Sequence, residues 1–143
     1  MALTGGGGAG NVVGGANPSG TGSNLNYIGD HAHALSGVVQ PTNGANATAF
    51  EFTTGNSYLV GNYTFNINMA DLSTNTNIGY LMYFDDQLVI SSVAHTSASY
   101  SPGDIDIPVP IIIPPFTKVK VEAYTTQGGT VDTFHTITGR VYA

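Results

Sequence analysis

The stretch Asn62-Tyr63-Thr64-Phe65-Asn66-Ile67-Asn68-Met69 decides the fold. Large apolar side chains at 63, 65, 67 and 69 alternate with Asn or Thr at 62, 64, 66 and 68. In a strand successive side chains point to opposite faces, so this period of two predicts a half-buried β-strand with Tyr63, Phe65, Ile67 and Met69 toward a core.

Working outward, short apolar runs separated by Gly, Pro, Asn and Asp predict further strands. They fall at His31 to Val39, Thr48 to Thr53, Ile78 to Phe84, Leu88 to His95, Ile105 to Ile113, Thr117 to Thr125 and Val131 to Val141, about eight strands with the first. Asp85-Asp86-Gln87 reads as a tight hairpin turn, and Gln127-Gly128-Gly129 as a second one between the last two strands. Ile105, Ile107, Val109, Ile111 and Ile113 share one parity while Pro108 and Pro110 share the other. Proline cannot donate to a ladder, so this is an edge strand or extended segment whose prolines guard an apolar edge. No segment has sustained helical periodicity with caps. The expected fold is an all-β antiparallel β-sandwich, jelly-roll-like, over residues 27–143.

Residues 1–26, MALTGGGGAGNVVGGANPSGTGSNLN, carry nine glycines, no charge and no periodic apolar face. Such a segment buries too little surface to fold alone. It is either a linker or an arm that orders on a partner, and fully extended it reaches ~85 Å. As an arm, its anchors are its larger apolar side chains, Met1, Leu3, Val12, Val13 and Leu25.

At 143 residues the chain is one domain in length. Charged residues make up 8%, against about 25% in ordinary soluble domains. The balance is nine acids to three bases, Lys118, Lys120 and Arg140. Binding a phosphate backbone needs a cluster of cations that is missing, so no nucleic acid is expected as partner. Without cysteine there is no disulfide, thiolate metal site or Cys nucleophile. No basic region followed by an apolar run, and no run of membrane-spanning length, is present, so the expectation is a soluble chain made in the cytoplasm, with no membrane partner.

Motifs that carry chemistry are sparse. Gly5 to Gly10 matches G-x-G-x-x-G formally, but no strand precedes it and no helix follows. His31 and His33 form an H-x-H pair on one strand face, which suits either a shared metal or plain surface or interface histidines; no metal or cofactor is assigned. Asp85 with Asp86, and Asp104 with Asp106, read as turn or strand-start acids, with calcium or acid-base work the alternatives. A Ser-His-Asp set drawn from His95 or His135 has nothing local to orient it, so no catalytic residue is named. The sequons Asn46-Ala47-Thr48 and Asn62-Tyr63-Thr64 are chance matches in an Asn- and Thr-rich chain. Tyr58, Tyr80, Tyr83, Tyr100, Tyr124 and Tyr142 belong to core or interface, with sugar stacking the alternative.

Four segments, YIGDHAHALSGVV (Tyr27 to Val39), EFTTGNSYLVGNYTF (Glu51 to Phe65), IIIPPFTKVKVEA (Ile111 to Ala123) and ITGRVYA (Ile137 to Ala143), together resemble small phage-encoded head decoration and related capsid-surface proteins. The resemblance covers about the last three quarters of the chain and leaves the arm out. It implies a non-enzymatic capsid decoration or cement protein on the virion surface. Its partners would be the major capsid protein or other virion proteins, and the homo-oligomer would be a trimer. The competing function is a receptor- or glycan-binding module of a phage fibre or spike, with the contacts on a loop such as Ser91 to Gly103.

Overall fold

The computed structural model describes residues 20–22, 25–68, 71–73, 75–96 and 108–142. Ten strands follow in order: β1 (Gly20–Gly22), β2 (Leu25–Ile28), β3 (His31–Val39), β4 (Ala47–Thr54), β5 (Tyr58–Ile67), β6 (Asn77–Phe84), β7 (Gln87–His95), β8 (Val109–Ile113), β9 (Lys118–Thr125) and β10 (Thr133–Tyr142). Every pairing between them is antiparallel, and the described residues contain no α-helix. The alternation that predicted eight strands thus locates β3 to β10, and β1 and β2 are additions to them.

The topology follows from nested pairs. β6 pairs with β7, β5 with β8, β4 with β9 and β3 with β10, so the chain is one long antiparallel ribbon folded at the β6–β7 turn. At that turn Asp85 and Asp86 have φ of 48° and 64°, the left-handed pair a two-residue hairpin needs. The ribbon then wraps on itself, β10 pairing with β5 and β9 with β6. The result is two sheets, A in the order β1-β4-β9-β6-β7 and B in the order β2-β3-β10-β5-β8. This is the wrapped ribbon of a jelly roll, with β1 and β2 added one to each sheet.

The wrapping corrects one expectation. β9 and β10 are not a hairpin across Gln127-Gly128-Gly129, because they lie in different sheets. The segment crosses the end of the sandwich, and the buried Gln127 ties it down, accepting from the Ser73 N–H (2.8 Å) and donating to the Asp71 carbonyl (2.8 Å).

The core lies between the sheets. Sheet A contributes Phe50, Phe52, Ile78, Tyr80, Met82, Val119 and Val121; sheet B contributes Leu59, Tyr63, Phe65, Ile111, Ile113 and Ile137. Tyr63 and Phe65 reach across to Tyr80, with ring centroids 4.5 and 5.3 Å apart. The deciding stretch has the expected parity: Tyr63 and Phe65 are buried, Ile67 is partly so, and Asn62, Asn66 and Asn68 are exposed. Met69 lies outside the described residues. β8 is an edge strand, with Ile111 and Ile113 inward and Pro110 outward, while Ile105 and Ile107 fall outside the described residues.

Gly61 and Gly139 sit opposite each other where β5 and β10 approach closely. A Cβ on Gly61 would stand 2.1 Å from the Thr138 carbonyl oxygen, so no side chain fits. In β3 an extra residue at Ser36-Gly37, with Gly37 at φ 68°, makes a bulge against β10. The bulge resets parity, so Ala34 and Val39 both face inward while Leu35 and Val38 face out.

The expected boundary after residue 26 falls inside β2. Leu25 and Asn26 pair with Ala34 and His33, and Leu25 packs against the chain's own core, because the sheet B edge offers it a strand partner and an apolar floor. Leu25 is therefore a core-facing residue of this domain. Met1, Leu3, Val12 and Val13 lie outside the described residues.

Candidate interaction surface

The Asp85–Asp86 pair that the sequence suggested is consumed locally. Asp85 accepts from the Lys118 backbone N–H (2.9 Å), and Asp86 pairs with the Lys118 ammonium (3.3 Å), which also meets Glu51 (3.3 Å). Lys120 pairs with Glu122 at 2.5 Å. Arg140 grips Asp30 through Nε (3.0 Å) and a second nitrogen, and holds its carboxyl below the usual carboxylate range. All three Lys and Arg side chains are therefore matched to acids, and no described surface concentrates positive charge. Asp104 and Asp106 lie outside the described residues.

His31 and His33 do share a face, the outer face of sheet B, since Ala32 and Ala34 between them are buried. His31 Nδ1 is already held by Asp30 at 2.7 Å. Among the described residues no three His, Cys, Asp or Glu side chains come together as a metal site.

His135 has a different environment. It is 1% exposed, between Tyr63 and Phe65, with no carboxylate against it. Thr133 donates its hydroxyl to the Val39 carbonyl (2.8 Å), so it accepts from His135 Nε2–H (3.1 Å), and His135 Nδ1 then accepts from the Tyr63 hydroxyl (2.7 Å). The chain of bonds fixes a neutral tautomer, and burial pushes the imidazole down from 6.5 to about 4 and the Tyr63 phenol up. The Ser36 hydroxyl, presented by the bulge in β3, accepts from the His135 backbone N–H (2.9 Å). The group is sealed from solvent and has no acid partner, so it builds no Ser-His-Asp device. Its parity with Ile137 and Val141 was the sequence signal for burial, and His95 is instead exposed, bonded to Asn77 at 2.7 Å.

The described surface also carries large apolar side chains. Of the large apolar side chains that stay exposed, Ile28, Leu35, Val38, Tyr58, Val60, Ile112, Phe134 and Tyr142 all project from the outer face of sheet B. Register aligns them in rows. Ile28, His31, Arg140, Val60 and Ile112 are successive cross-strand neighbours spanning all five strands, from β2 to β8. Tyr142 opposite Tyr58 continues this apolar end, and Phe134 opposite Val38 forms the other. Between the ends runs a polar row of Asn26, His33, Thr138 and Asn62, closed by Pro110. The sequence carried a trace of this, since Tyr58 and Val60 share the parity of Asn62 rather than that of Tyr63. Ser91 to His95, expected to begin an exposed loop, belong to β7, and the rest of that expected loop is outside the described residues apart from Thr96.

The fold and this face define a jelly-roll domain with an apolar outer sheet. No protein-family model and no curated protein matches the chain. Among solved structures it is similar to the infectious bursal disease virus VP2 subviral particle, with 17% identity and a TM-score of 0.42 over 86% of this chain and 33% of that one. It is also similar to the structure of the infectious bursal disease virus Gt strain, with 19% identity and a TM-score of 0.41 over 86% and 33% of the two chains. The chain thus spans about a third of the length of these neighbours, and a likeness of this strength carries no argument about function.

Proposed function

We propose that this protein is a structural subunit of a virion, a non-enzymatic capsid decoration or cement protein that works by covering and bridging neighbouring capsid subunits as a homotrimer. The observation that carries the reading is the outer face of sheet B. It holds eight exposed large apolar side chains in register with hydrogen-bonding ones, and its Arg140 is already neutralised by Asp30. A face of this kind gains by being covered, as interface cores combine apolar and aromatic residues with few net charges. The resemblance of Tyr27 to Val39 and of the other three segments to phage capsid-surface proteins points the same way.

The test is Val60→Glu with Ile112→Glu, two exposed positions in adjacent strands. The expected result is an unchanged fold and loss of co-sedimentation with particles. Undiminished particle binding by the folded double variant would refute this reading of the face.

A second reading has one observation in its favour. Tyr58 and Tyr142 are exposed cross-strand neighbours, and Phe116, at φ 56° and 72% exposed, stands at the same end of the sandwich, after β8. Exposed rings at one end suit stacking on sugar faces, as a glycan-binding module of a fibre or spike requires. Loss of glycan binding by Tyr58→Ala and Phe116→Ala, with particle association intact, would favour it.

A further inference from the structure

Among the described residues the sandwich has four outer strands, β1 and β7 in sheet A, β2 and β8 in sheet B. An outer strand offers unpaired N–H and C=O groups to any other strand, and proteins ordinarily blunt such edges. Three of these four are blunted. β1 and β2 are three and four residues long, and β8 contains Pro110 with Pro108 and Pro114 flanking it. β7 is the exception. It runs nine residues, Gln87 to His95, with no proline and no charged side chain, and Leu88, Val89 and Val93 are 54%, 46% and 57% exposed. A bulge at Val89 bends its start, which leaves Ile90 to His95 as a regular edge. Among the described residues only β6 pairs with it.

We propose that the free edge of β7 pairs antiparallel with β7 of a second copy from another trimer, joining the two A sheets into one continuous sheet across a two-fold axis. This goes beyond the role of the sheet B face, since it uses a different surface. The second copy is the occupant because the strand is compatible with itself. A two-fold pairing sets each residue against a counterpart of the same strand. With the axis near Ser92, Ser91 meets Val93 and Ile90 meets Ala94, pairs that are small or apolar and free of like charges. The chain as a whole carries a net charge of −6, yet none of that charge lies on this strand. The acids nearest along the chain, Asp85 and Asp86 in the β6–β7 turn, fall beyond His95 of the second copy rather than against each other, and Glu122, two strands in from Ser91, is paired with Lys120.

The chain has no cysteine, so single cysteines report the contact without background. Cysteines placed one at a time at Ile90, Ser91, Ser92, Val93 and Ala94 are oxidised in the full-length protein, and covalent dimer is scored on a denaturing gel. Only residues near the axis face their own counterpart within disulfide reach. Cross-linking is therefore expected to peak at one or two positions near Ser92 and fall on both sides. No cross-linking, or equal cross-linking at all five positions, overturns the proposal. In parallel, Ser91→Lys with Val93→Lys, both exposed, is expected to halve the mass measured by light scattering while leaving the melting temperature within a few degrees. A folded variant of unchanged mass overturns the pairing, as does a wild type that is monomeric. Should the lysine variant not fold, the cysteine series decides alone. Cysteines at Val60 and Ile112 separate the two surfaces: cross-linking there with none along β7 places the second copy on sheet B and overturns this proposal.

Discussion

His135 makes stability depend on pH, because burial gives it a weaker hold on a proton in the folded chain than in the unfolded one. The folded protein holds its imidazole neutral, with the proton on Nε2 committed to Thr133 and Nδ1 to Tyr63. The groups around it, Tyr63, Phe65, Thr133 and the Ser36 hydroxyl, carry no charge that could stabilise an imidazolium. Its folded value of about 4 lies below the ordinary 6.5, so the unfolded chain takes up the proton first. The contribution is present above about pH 6.5, falls as pH drops, and levels off below about pH 4. The interval of two and a half units corresponds to about 3 kcal/mol in all, of which about 2 kcal/mol is lost by pH 5. For a domain of this size that is a fall in melting temperature of roughly 5 to 10 °C between pH 7 and 5. His135→Gln keeps an acceptor for Tyr63 and a donor for Thr133 but cannot titrate. Melting curves from pH 7 to 4, on wild type and His135→Gln side by side, should show the steep fall in the wild type and a much shallower one in the variant. Parallel curves would refute the assignment. Asp30, held low by Arg140, adds its own loss only at lower pH, as its carboxylate protonates.

Phe65→Ala should cost about 3 to 5 kcal/mol in denaturant unfolding, since it empties a site between Tyr80 and His135, whereas exposed Asn66→Ala should stay within about 0.5 kcal/mol. Equal costs would contradict the parity of β5. Gly61→Ala puts a methyl 2.1 Å from the Thr138 carbonyl oxygen and should split β5 from β10, read as loss of the cooperative melt, while Gly128→Ala, where a Cβ meets nothing within 4 Å, should melt like wild type. Deleting residues 1–19 should leave the melting temperature of the sandwich nearly unchanged and weaken particle binding. Deleting residues 1–26 should lower it as well, because that cut removes β1 and the half of β2 that pairs with His33 and Ala34. Indistinguishable melting of the two truncations would show that β1 and Leu25 contribute nothing to the fold.

Eight of the ten strands, and the inward parity of Tyr63, Phe65, Ile111 and Ile113, were determined by the sequence alone, because each rests on a local rule: alternation with a period of two, or a turn residue at a fixed place. The edge position of β8 was legible for the same reason, through Pro108 and Pro110. Tertiary structure decided what depends on strands far apart in the chain. The two strands flanking Gln127-Gly128-Gly129 look like a hairpin locally, and only wrapping of the whole ribbon sends β9 and β10 to different sheets. The bulge at Ser36-Gly37 is set by its mismatch with β10, so the outward turn of Val38 could not be read from β3 by itself. Leu25 looked like part of a charge-free, Gly-rich arm until the edge of β3 gave it a partner. The outer face of sheet B is the largest such case. Ile28, Val60 and Ile112 are single apolar residues in three separate segments, and they become neighbours in one row only when hydrogen-bond register aligns β2, β3, β10, β5 and β8.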